Sequence, residues 1–221
     1  MNIADSITAV IPVRKGSQRV KNKNLRLFNK KNLLIYKLEK LKKIKQIKKI
    51  IVNTDSDEAI DIAKYLNVDF FKRDKYFASS KCSNSEFWSY IAKTTNSKYI
   101  MFTNCTSPLV KIQTYKKIIE KFYKIRNKND SLNTVTEEKS FLYLHCKPIN
   151  FNPNKTPNSQ NLPDIVKLNF AVNILSTNLM FSKKSVIGHN PYFFKIDQVE
   201  GFDIDTSFDF EFAQYMHKKL F

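Results

Sequence analysis

Short apolar runs alternate with helical patterns along residues 6–135, and this alternation limits the fold more than any other feature of the chain. The apolar runs are rich in β-branched and aromatic side chains, and they predict strands at residues 6–13, 49–53, 69–71, 99–103 and 131–135. The segments between them have a helical period and predict helices at residues 32–44, 54–66, 83–95 and 111–126. Because parallel strands need helical crossovers, we expect an α/β domain with a mainly parallel sheet.

The pattern changes after Glu138. Strands are predicted at residues 141–144 and 166–175, separated by the Pro- and Asn-rich run PINFNPNKTPNSQNLPD. An irregular run of this length inside a compact protein is usually an insertion or a functional segment. We therefore expect an inserted lobe over approximately residues 138–190, within a single domain that spans residues 1–221. A last strand follows at residues 192–196, and a last helix begins at Ser207.

Composition excludes several classes of protein. No apolar run approaches the roughly 20 residues of a membrane-spanning helix, and residues 1–5 lack the features of a secretion signal, so we expect a cytoplasmic protein without a membrane partner. The cysteines are odd in number and widely spaced, which favours free thiols over disulfides or a zinc site: Cys82, Cys105 and Cys146.

The net charge of +18 leaves two interpretations open. A surface this basic can bind nucleic acid, and aromatic residues, 13% of the chain, can stack on bases. The lysines, however, are spread over exposed helix faces, and the aromatic residues fall mainly at predicted core positions. The sequence therefore favours a surface that attracts anionic small molecules, with a non-catalytic nucleic-acid-binding module as the alternative.

The loop after the first strand, RKGSQRVKNKN, carries cations and neutral donors but no carboxylate. Its cations are Arg14, Lys15, Arg19, Lys21 and Lys23, and its neutral donors include Ser17, Asn22 and Asn24. Doubly wound sheets bind ligands at the carboxyl ends of their strands, and this donor set suits a triphosphate. The loop lacks the spacing of a Walker A motif. Charge alone also fits a solvated basic turn.

The segment FDIDT near the C-terminus predicts a metal site. Asp203 and Asp205 are two residues apart, so in an extended segment both carboxylates face one side, where a cation such as Mg²⁺ would relieve their repulsion. The alternative is helix capping by Asp205 or Thr206, which does not account for Asp203. A second acidic pair, Asp55 and Asp57, is open to either interpretation.

A basic phosphate loop combined with a metal-binding pair indicates metal-assisted nucleotidyl transfer, in which the protein positions phosphates and neutralises charge. No Ser-His-Asp set is apparent, and the histidines are scattered at His145, His189 and His217. The strand-end segment NCTSP offers small polar side chains that can contact a base edge.

Six segments in order resemble the acylneuraminate cytidylyltransferases, which include the CMP-sialic acid synthetases. They are IPVRKGSQRVKNKNL, VNTDSDEAIDIAK, FFKRDKYFASS, FTNCTSPLV, SQNLP with LNFAVNIL, and FDIDTSFDFEFAQ. Together they extend over residues 11–214. The KNL in the first segment differs from the KPL of the Kdo cytidylyltransferases.

The resemblance implies a Rossmann-like three-layer nucleotidyltransferase fold whose inserted lobe forms a homodimer and completes the partner's sugar pocket. It also implies an Mg²⁺-dependent transfer of CMP from CTP to a nonulosonic sugar acid, with release of pyrophosphate. The implied catalytic residues are Lys23, Asp203 and Asp205, the two aspartates binding the metal. The implied nucleotide-binding residues are Arg14, Ser17, Lys23, Asn24, Arg73 and Asn84, and the implied sugar-binding residues are Asn104, Gln160 and Asn169.

Departures from the family pattern fall mainly on the sugar side. They are Lys15 and Phe170 in place of glycines, Asp74 and Cys105 in place of prolines, Asn104 in place of glutamine, and Val110 in place of arginine. No arginine is near NSQNLP, so Lys155 or Lys167 would take its role. We therefore expect an unusual acceptor, such as a legionaminic, pseudaminic or Kdo-like acid. An inactive relative is a further alternative.

Overall fold

A seven-stranded sheet forms the centre of the molecule, in a computed structural model that describes residues 6–17 and 19–221. Its strands are β1 Ile7–Val13, β4 Ile47–Thr54, β5 Asp69–Lys72, β6 Tyr99–Phe102, β7 Ser131–Glu138, β10 Ile165–Ser176 and β11 Pro191–Lys195. Their order in the sheet is β11-β7-β10-β6-β1-β4-β5. Two small hairpins lie outside it, formed by Leu27–Phe28 (β2) with Lys31–Asn32 (β3), and by Tyr143–Leu144 (β8) with Lys147–Pro148 (β9).

The first half of the sheet is parallel and the second half is mixed. Strand β1 pairs in parallel with both β4 and β6, and β4 pairs in parallel with β5. Strand β10 is antiparallel to both β6 and β7, while β11 is parallel to β7. The sheet is therefore mainly parallel, as predicted, with one antiparallel strand inserted between β6 and β7.

Three helices begin at polar residues that lie at or near the helix starts predicted from the sequence. Asn32 caps α1 (Leu33–Lys42), Ser56 caps α2 (Asp57–Tyr65) and Ser83 caps α4 (Asn84–Thr94), each accepting a backbone N–H. The remaining helices are α3 (Lys75–Ala78), α5 (Ile112–Ile125), α6 (Thr177–Lys183) and α7 (Ser207–Leu220). The short helices α3 and α6 and the β2–β3 hairpin lack a clear periodic signal and were not predicted.

Helices cover both faces of the sheet. On one face, the alternate residues Ala9 and Ile11 of β1 pack in a large core with α1, α2, α5 and α7. On the other face, Val10 packs in a smaller core with α4 and α6. Successive residues of a strand point to opposite faces, so β1 contributes to both cores. The predicted three-layer α/β fold is confirmed.

The boundary predicted for the inserted lobe needs correction. Strand β10 lies inside the expected range of 138–190, yet it occupies a central position in the sheet because its apolar residues, such as Val172 and Ile174, are fully buried. Within the expected range, residues 139–164 precede β10 and lie outside the main sheet, as the β8–β9 hairpin and two short 3₁₀ helices, Pro153–Lys155 and Ser159–Asn161, and α6 follows β10. A role of this segment in dimerisation stays a prediction.

None of the helices in the described part of the chain has both the length and the apolar character required to cross a membrane. Residues 1–5, in which we expect no secretion signal, and Gln18 lie outside the described residues.

Candidate functional site

The basic loop leaves the carboxyl end of β1, where it is held by a neighbouring strand. The backbone N–H of Lys15 donates to Oδ1 of Asp55, which follows β4, at 2.8 Å. Gly16 has a left-handed backbone, with φ of +74°, and so does Asn22, with φ of +52°, whereas Lys15 does not. The replacement of a family glycine by Lys15 therefore introduces no left-handed lysine.

Ser17 organises the next part of this loop. Its hydroxyl accepts from the backbone N–H of Lys23 at 2.8 Å and donates to the carbonyl of Val20 at 2.7 Å. Val20 is buried in the main core and anchors the turn. These contacts fix the position at which the Lys23 side chain leaves the backbone.

A cavity of about 410 Å³ opens beside the loop, and we call it the basic cavity. Its lining includes four cations and no carboxylate: Arg14, Arg19, Lys23 and Arg73, with Pro12, Ser17, Val20, Asn24, Asn104, Cys105 and Thr106. Four converging cations without an acidic neighbour in the lining suit a polyanion.

Arg73 is the most firmly held of these cations. Its side chain donates from Nε to Oδ1 of Asn53 and from a terminal nitrogen to the Asn53 carbonyl, both at 2.6 Å, and lies 4.4 Å above the ring of Phe87. Burial lowers the pKa of Arg73 to about 10, and nearby Arg14 also acts to lower it. The guanidinium therefore remains charged at neutral pH.

The structure shows which residue of the FDIDT segment caps the last helix. Thr206 caps α7 and accepts from the N–H of Asp209, whose carboxylate in turn accepts from the N–H of Thr206. Asp205 is therefore not the capping residue. Its carboxylate instead lies 2.8 Å from Arg19 and 3.6 Å from Lys23.

Asp203 is the second carboxylate of this segment, and it lines the same cavity as Asp205. The loop after β6 holds it through a hydrogen bond from Thr106 and through the Ser107 hydroxyl at 3.5 Å. Burial raises the pKa of Asp203, and the charge of Asp205 raises it further. A buried carboxylate next to a like charge is stabilised by an added cation, so this pair fits a divalent metal ion.

A second cavity, of about 530 Å³, lies on the side of Asp203 and Asp205, and we call it the acidic cavity. Its lining is Thr136, Glu137, Glu138, Lys167, Leu168, Asn169, Phe170, Gln198, Gly201, Phe202, Asp203, Asp205 and Asp209. The two cavities meet where Arg19 and Lys23 of the first pair with Asp205 of the second. The ammonium of Lys23 also donates to the Ile204 carbonyl, between the two aspartates.

Each cavity contains one buried polar atom without a partner among the described residues. These are Oδ1 of Asn24, an acceptor, in the basic cavity, and Nδ2 of Asn169, a donor, in the acidic cavity. An unpaired buried polar atom is costly, and a ligand that completes its hydrogen bond removes that cost.

The structure brings most of the predicted site residues together. Arg14, Ser17, Lys23, Asn24, Arg73 and Asn104 line the basic cavity, and Asn169, Asp203 and Asp205 line the acidic cavity. Two predicted residues line neither cavity in this chain. Asn84 is exposed in the first turn of α4, and Gln160 is exposed on the segment outside the sheet. Their roles in binding stay predictions.

Sequence reasoning missed Thr106 and Ser107 as supports of Asp203, and Asp55 as the support of the basic loop. In the sequence, the segment NCTSP was considered only for contact with a base. Its position directly after a strand was the signal that could have indicated Thr106 and Ser107 as site residues. Lys37 was also missed because it lies on the helical stripe that predicts core. It is buried, and its ammonium donates to Tyr115 Oη at 2.6 Å and to the Ser107 carbonyl at 3.1 Å.

Other chemistries receive no support from the described residues. No group of three or more His, Cys, Asp or Glu side chains there is arranged to hold a metal ion by itself. Burial raises the pKa of Cys105, in the basic cavity, to about 12, so its thiol is not an activated nucleophile.

The chain is similar to proteins of known function over nearly its whole length. The Campylobacter coli post-translational flagellin modification protein B is 26% identical over 226 residues, covering 96% of this chain and 95% of that protein. The Campylobacter jejuni CMP-N,N'-diacetyllegionaminic acid synthase is 27% identical over 232 residues, covering 95% of this chain and 94% of that protein.

Among solved structures, that of CMP:2-keto-3-deoxy-manno-octonic acid synthetase complexed with CTP matches with a TM-score of 0.73. It has 12% sequence identity and covers 97% of this chain and 99% of the other. At this identity the likeness supports the fold alone. The model of the cytidylyltransferase family matches residues 8–216, which is nearly the whole chain. Together with the ordered motifs, this match shows that the chain belongs to the cytidylyltransferase family.

Proposed function

We propose that this protein transfers CMP from CTP to the anomeric hydroxyl of a nonulosonic sugar acid, with Mg²⁺, and releases pyrophosphate. The observation that carries the proposal is the junction of the two cavities, where Lys23 lies between a cationic phosphate site and the Asp203–Asp205 pair. A triphosphate in the basic cavity and a metal ion on the aspartates would then be neighbours, as metal-assisted nucleotidyl transfer requires.

CTP would bind in the basic cavity. Arg14, Arg19 and Lys23 supply positive charge for the triphosphate, and Arg73, held by two hydrogen bonds to Asn53, adds a fixed cation. The unpaired Oδ1 of Asn24 is available to a donor of the nucleotide, such as a hydroxyl or amino group. These groups orient the α-phosphate and leave no covalent step to a side chain.

Asp203 and Asp205 would hold Mg²⁺, completed by phosphate oxygens and water, since this ion usually takes only one or two carboxylates. The bound ion would supply charge neutralisation at the phosphates. Arg19 and Lys23 form ion pairs with Asp205. With CTP bound, the same two side chains are close enough to the junction to turn towards phosphate oxygens.

The sugar acid would bind in the acidic cavity. Lys167 and the unpaired Nδ2 of Asn169 are the groups in its lining that suit the acceptor's carboxylate. The acceptor hydroxyl then attacks the α-phosphorus, its proton leaves to solvent, and pyrophosphate departs as the P–O bond to it breaks. A nonulosonic acid is proposed because the similar proteins include one named as a CMP-N,N'-diacetyllegionaminic acid synthase.

A homodimer is part of the proposal. The segment outside the sheet exposes several apolar side chains that a second copy would cover: Phe141, Tyr143, Leu144 and Ile149. Gln160 lies on the same segment, so its predicted contact with sugar would be made in the partner's acidic cavity.

The experiment measures pyrophosphate release with each nucleoside triphosphate, Mg²⁺ and a panel of sialic, legionaminic, pseudaminic and Kdo acids. We expect release with CTP alone and with at least one nonulosonic acid. Release with Kdo alone would reassign the acceptor. No release with any acid, combined with salt-sensitive binding of DNA or RNA, would favour the nucleic-acid-binding alternative.

A further inference from the structure

Phe170 has an unusual backbone for a bulky residue. Its φ is +55°, in the left-handed region that glycine adopts freely and aromatic residues rarely do. It lies in an irregularity of β10, where the pairing with β7 changes register between Leu168 and Asn173. Bulges and left-handed bulky residues of this kind concentrate at functional sites.

Side chains from two strands hold this irregularity in place. Oδ1 of Asn169 accepts from the Thr134 hydroxyl at 2.7 Å and from the Ala171 N–H at 3.1 Å. The Phe170 carbonyl accepts from the Asn173 amide at 3.4 Å. These hydrogen bonds therefore fix the left-handed backbone conformation of Phe170.

The ring of Phe170 is fixed as well. It stacks on Trp88 of α4, with ring centroids 6.4 Å apart and an angle of 21° between the planes. Phe170 is also one of three apolar residues in the lining of the acidic cavity, with Leu168 and Phe202. A hydroxyl group placed against these residues would lose its hydrogen bonds with water, whereas a methyl group would gain apolar contact.

We infer that Phe170, supported by Trp88, determines acceptor specificity by selecting sugar acids that present a methyl-bearing substituent to its ring over their hydroxylated counterparts. The inference rests on the proposed function, because it places the acceptor in the acidic cavity. The methyl group has two chemical sources, a deoxygenated chain end or an N-acyl group. Phe170 acts by contact with the acceptor and takes no part in phosphate binding.

The test compares kcat/KM with CTP for two matched pairs of sugar acids, in wild type and Phe170→Gly. In one pair, the sugar chain ends in a methyl group in one acid and in a hydroxymethyl group in the other. In the second pair, one acid carries an N-acetyl group and the other an N-glycolyl group. Wild type should prefer the methyl member of at least one pair, which identifies the source of the methyl group. In Phe170→Gly that preference should fall by about 10-fold or more, since an apolar pocket discriminates against an added hydroxyl by up to roughly 10²-fold.

Lys184→Gly is the matched control, because Lys184 also has a left-handed backbone, with φ of +52°, and lines neither cavity. It should leave the preference unchanged. An equal loss of kcat/KM with both members in Phe170→Gly would mean a structural role and overturn the inference. So would an unchanged preference. If wild type releases no pyrophosphate with any acid, the proposed function itself fails. Phe170→Asn, which tolerates the same backbone, should reduce the preference further.

Discussion

The two cavities are built on different principles. The basic cavity collects side chains from loops at the carboxyl ends of parallel strands β1, β5 and β6, where doubly wound sheets generally bind ligands. The acidic cavity lies against β7 and β10, which are antiparallel and interrupted by the irregularity at Phe170. Under the proposed function, the regular part of the sheet would bind the phosphates that all nucleotides share, and the irregular strand would contact the acceptor.

The difference extends to charge. The basic cavity has four cations, and the acidic cavity has five carboxylates in its lining and one lysine. The ion pairs of Asp205 with Arg19 and Lys23 join the two, so a change at this junction should affect both substrates, whereas a change elsewhere should affect one.

The largest expected effect is at the metal pair. Asp203→Asn should lower kcat by about 10³-fold, since a metal ion contributes several kcal/mol to stabilising charge in the transition state. Steady-state pyrophosphate release measures it, with exposed Asp61→Asn on α2 as the control. A wild-type kcat in Asp203→Asn would remove the metal role.

Removal of the junction cation should be nearly as severe. Lys23→Met is expected to lower kcat/KM for CTP by about 10²- to 10³-fold, the range for loss of one group that stabilises developing charge. Lys21→Met is the matched control, because it removes an exposed lysine of the same loop that lines neither cavity. Equal losses in both variants would mean that general loop charge, and not the junction, is what matters.

A smaller effect, confined to the nucleotide, is expected at the unpaired acceptor. Asn24→Ala should weaken CTP binding by about 10-fold, within the cost of roughly 1–3 kcal/mol for a lost buried hydrogen bond. Calorimetric titration with CTP measures it. Asn84→Ala should change the Kd by less than about 2-fold, because Asn84 is exposed outside the cavity. A larger loss in Asn84→Ala than in Asn24→Ala would restore the role that the family resemblance assigns to Asn84.

The smallest effect concerns stability. The pKa of Asp203 is raised above 3.8 by burial and by Asp205. A carboxyl whose pKa is higher in the folded chain stabilises it at low pH, and this stabilisation is lost as the pH rises through the folded pKa. Without metal, the free energy of unfolding of wild type relative to Asp203→Asn should therefore fall as the pH rises from 3.8. Urea unfolding of both proteins over that range measures it, and a rising difference would contradict the assigned cause.

Much of the basic half could be predicted from the sequence, because strands, helix caps and loop charge depend on local pattern. The position of Lys23 next to Asp205 could not, since the two residues lie near opposite ends of the chain and only the sheet order brings them together. The family resemblance assigned both residues to one site but predicted no contact between them.

The acidic half was harder to predict for the same physical reason. Strand β10 was assigned to an inserted lobe because it follows a long irregular run. Nothing in that run indicates that the next strand belongs to the central sheet. Phe170 was recognised as a departure from glycine, but its left-handed backbone and its stacking on Trp88 depend on contacts with α4 and β7. Such long-range contacts leave no periodic signal in the sequence.

The central claim is that the two cavities form one site joined at Lys23 and Asp205. Calorimetric titration of CTP into wild type and Asp203→Asn, each with and without Mg²⁺, tests it most directly. We expect Mg²⁺ to tighten CTP binding by at least about 10-fold in wild type and to have little effect in the variant, because the aspartates and the phosphates would share the ion. An equal effect of Mg²⁺ on both proteins would contradict it.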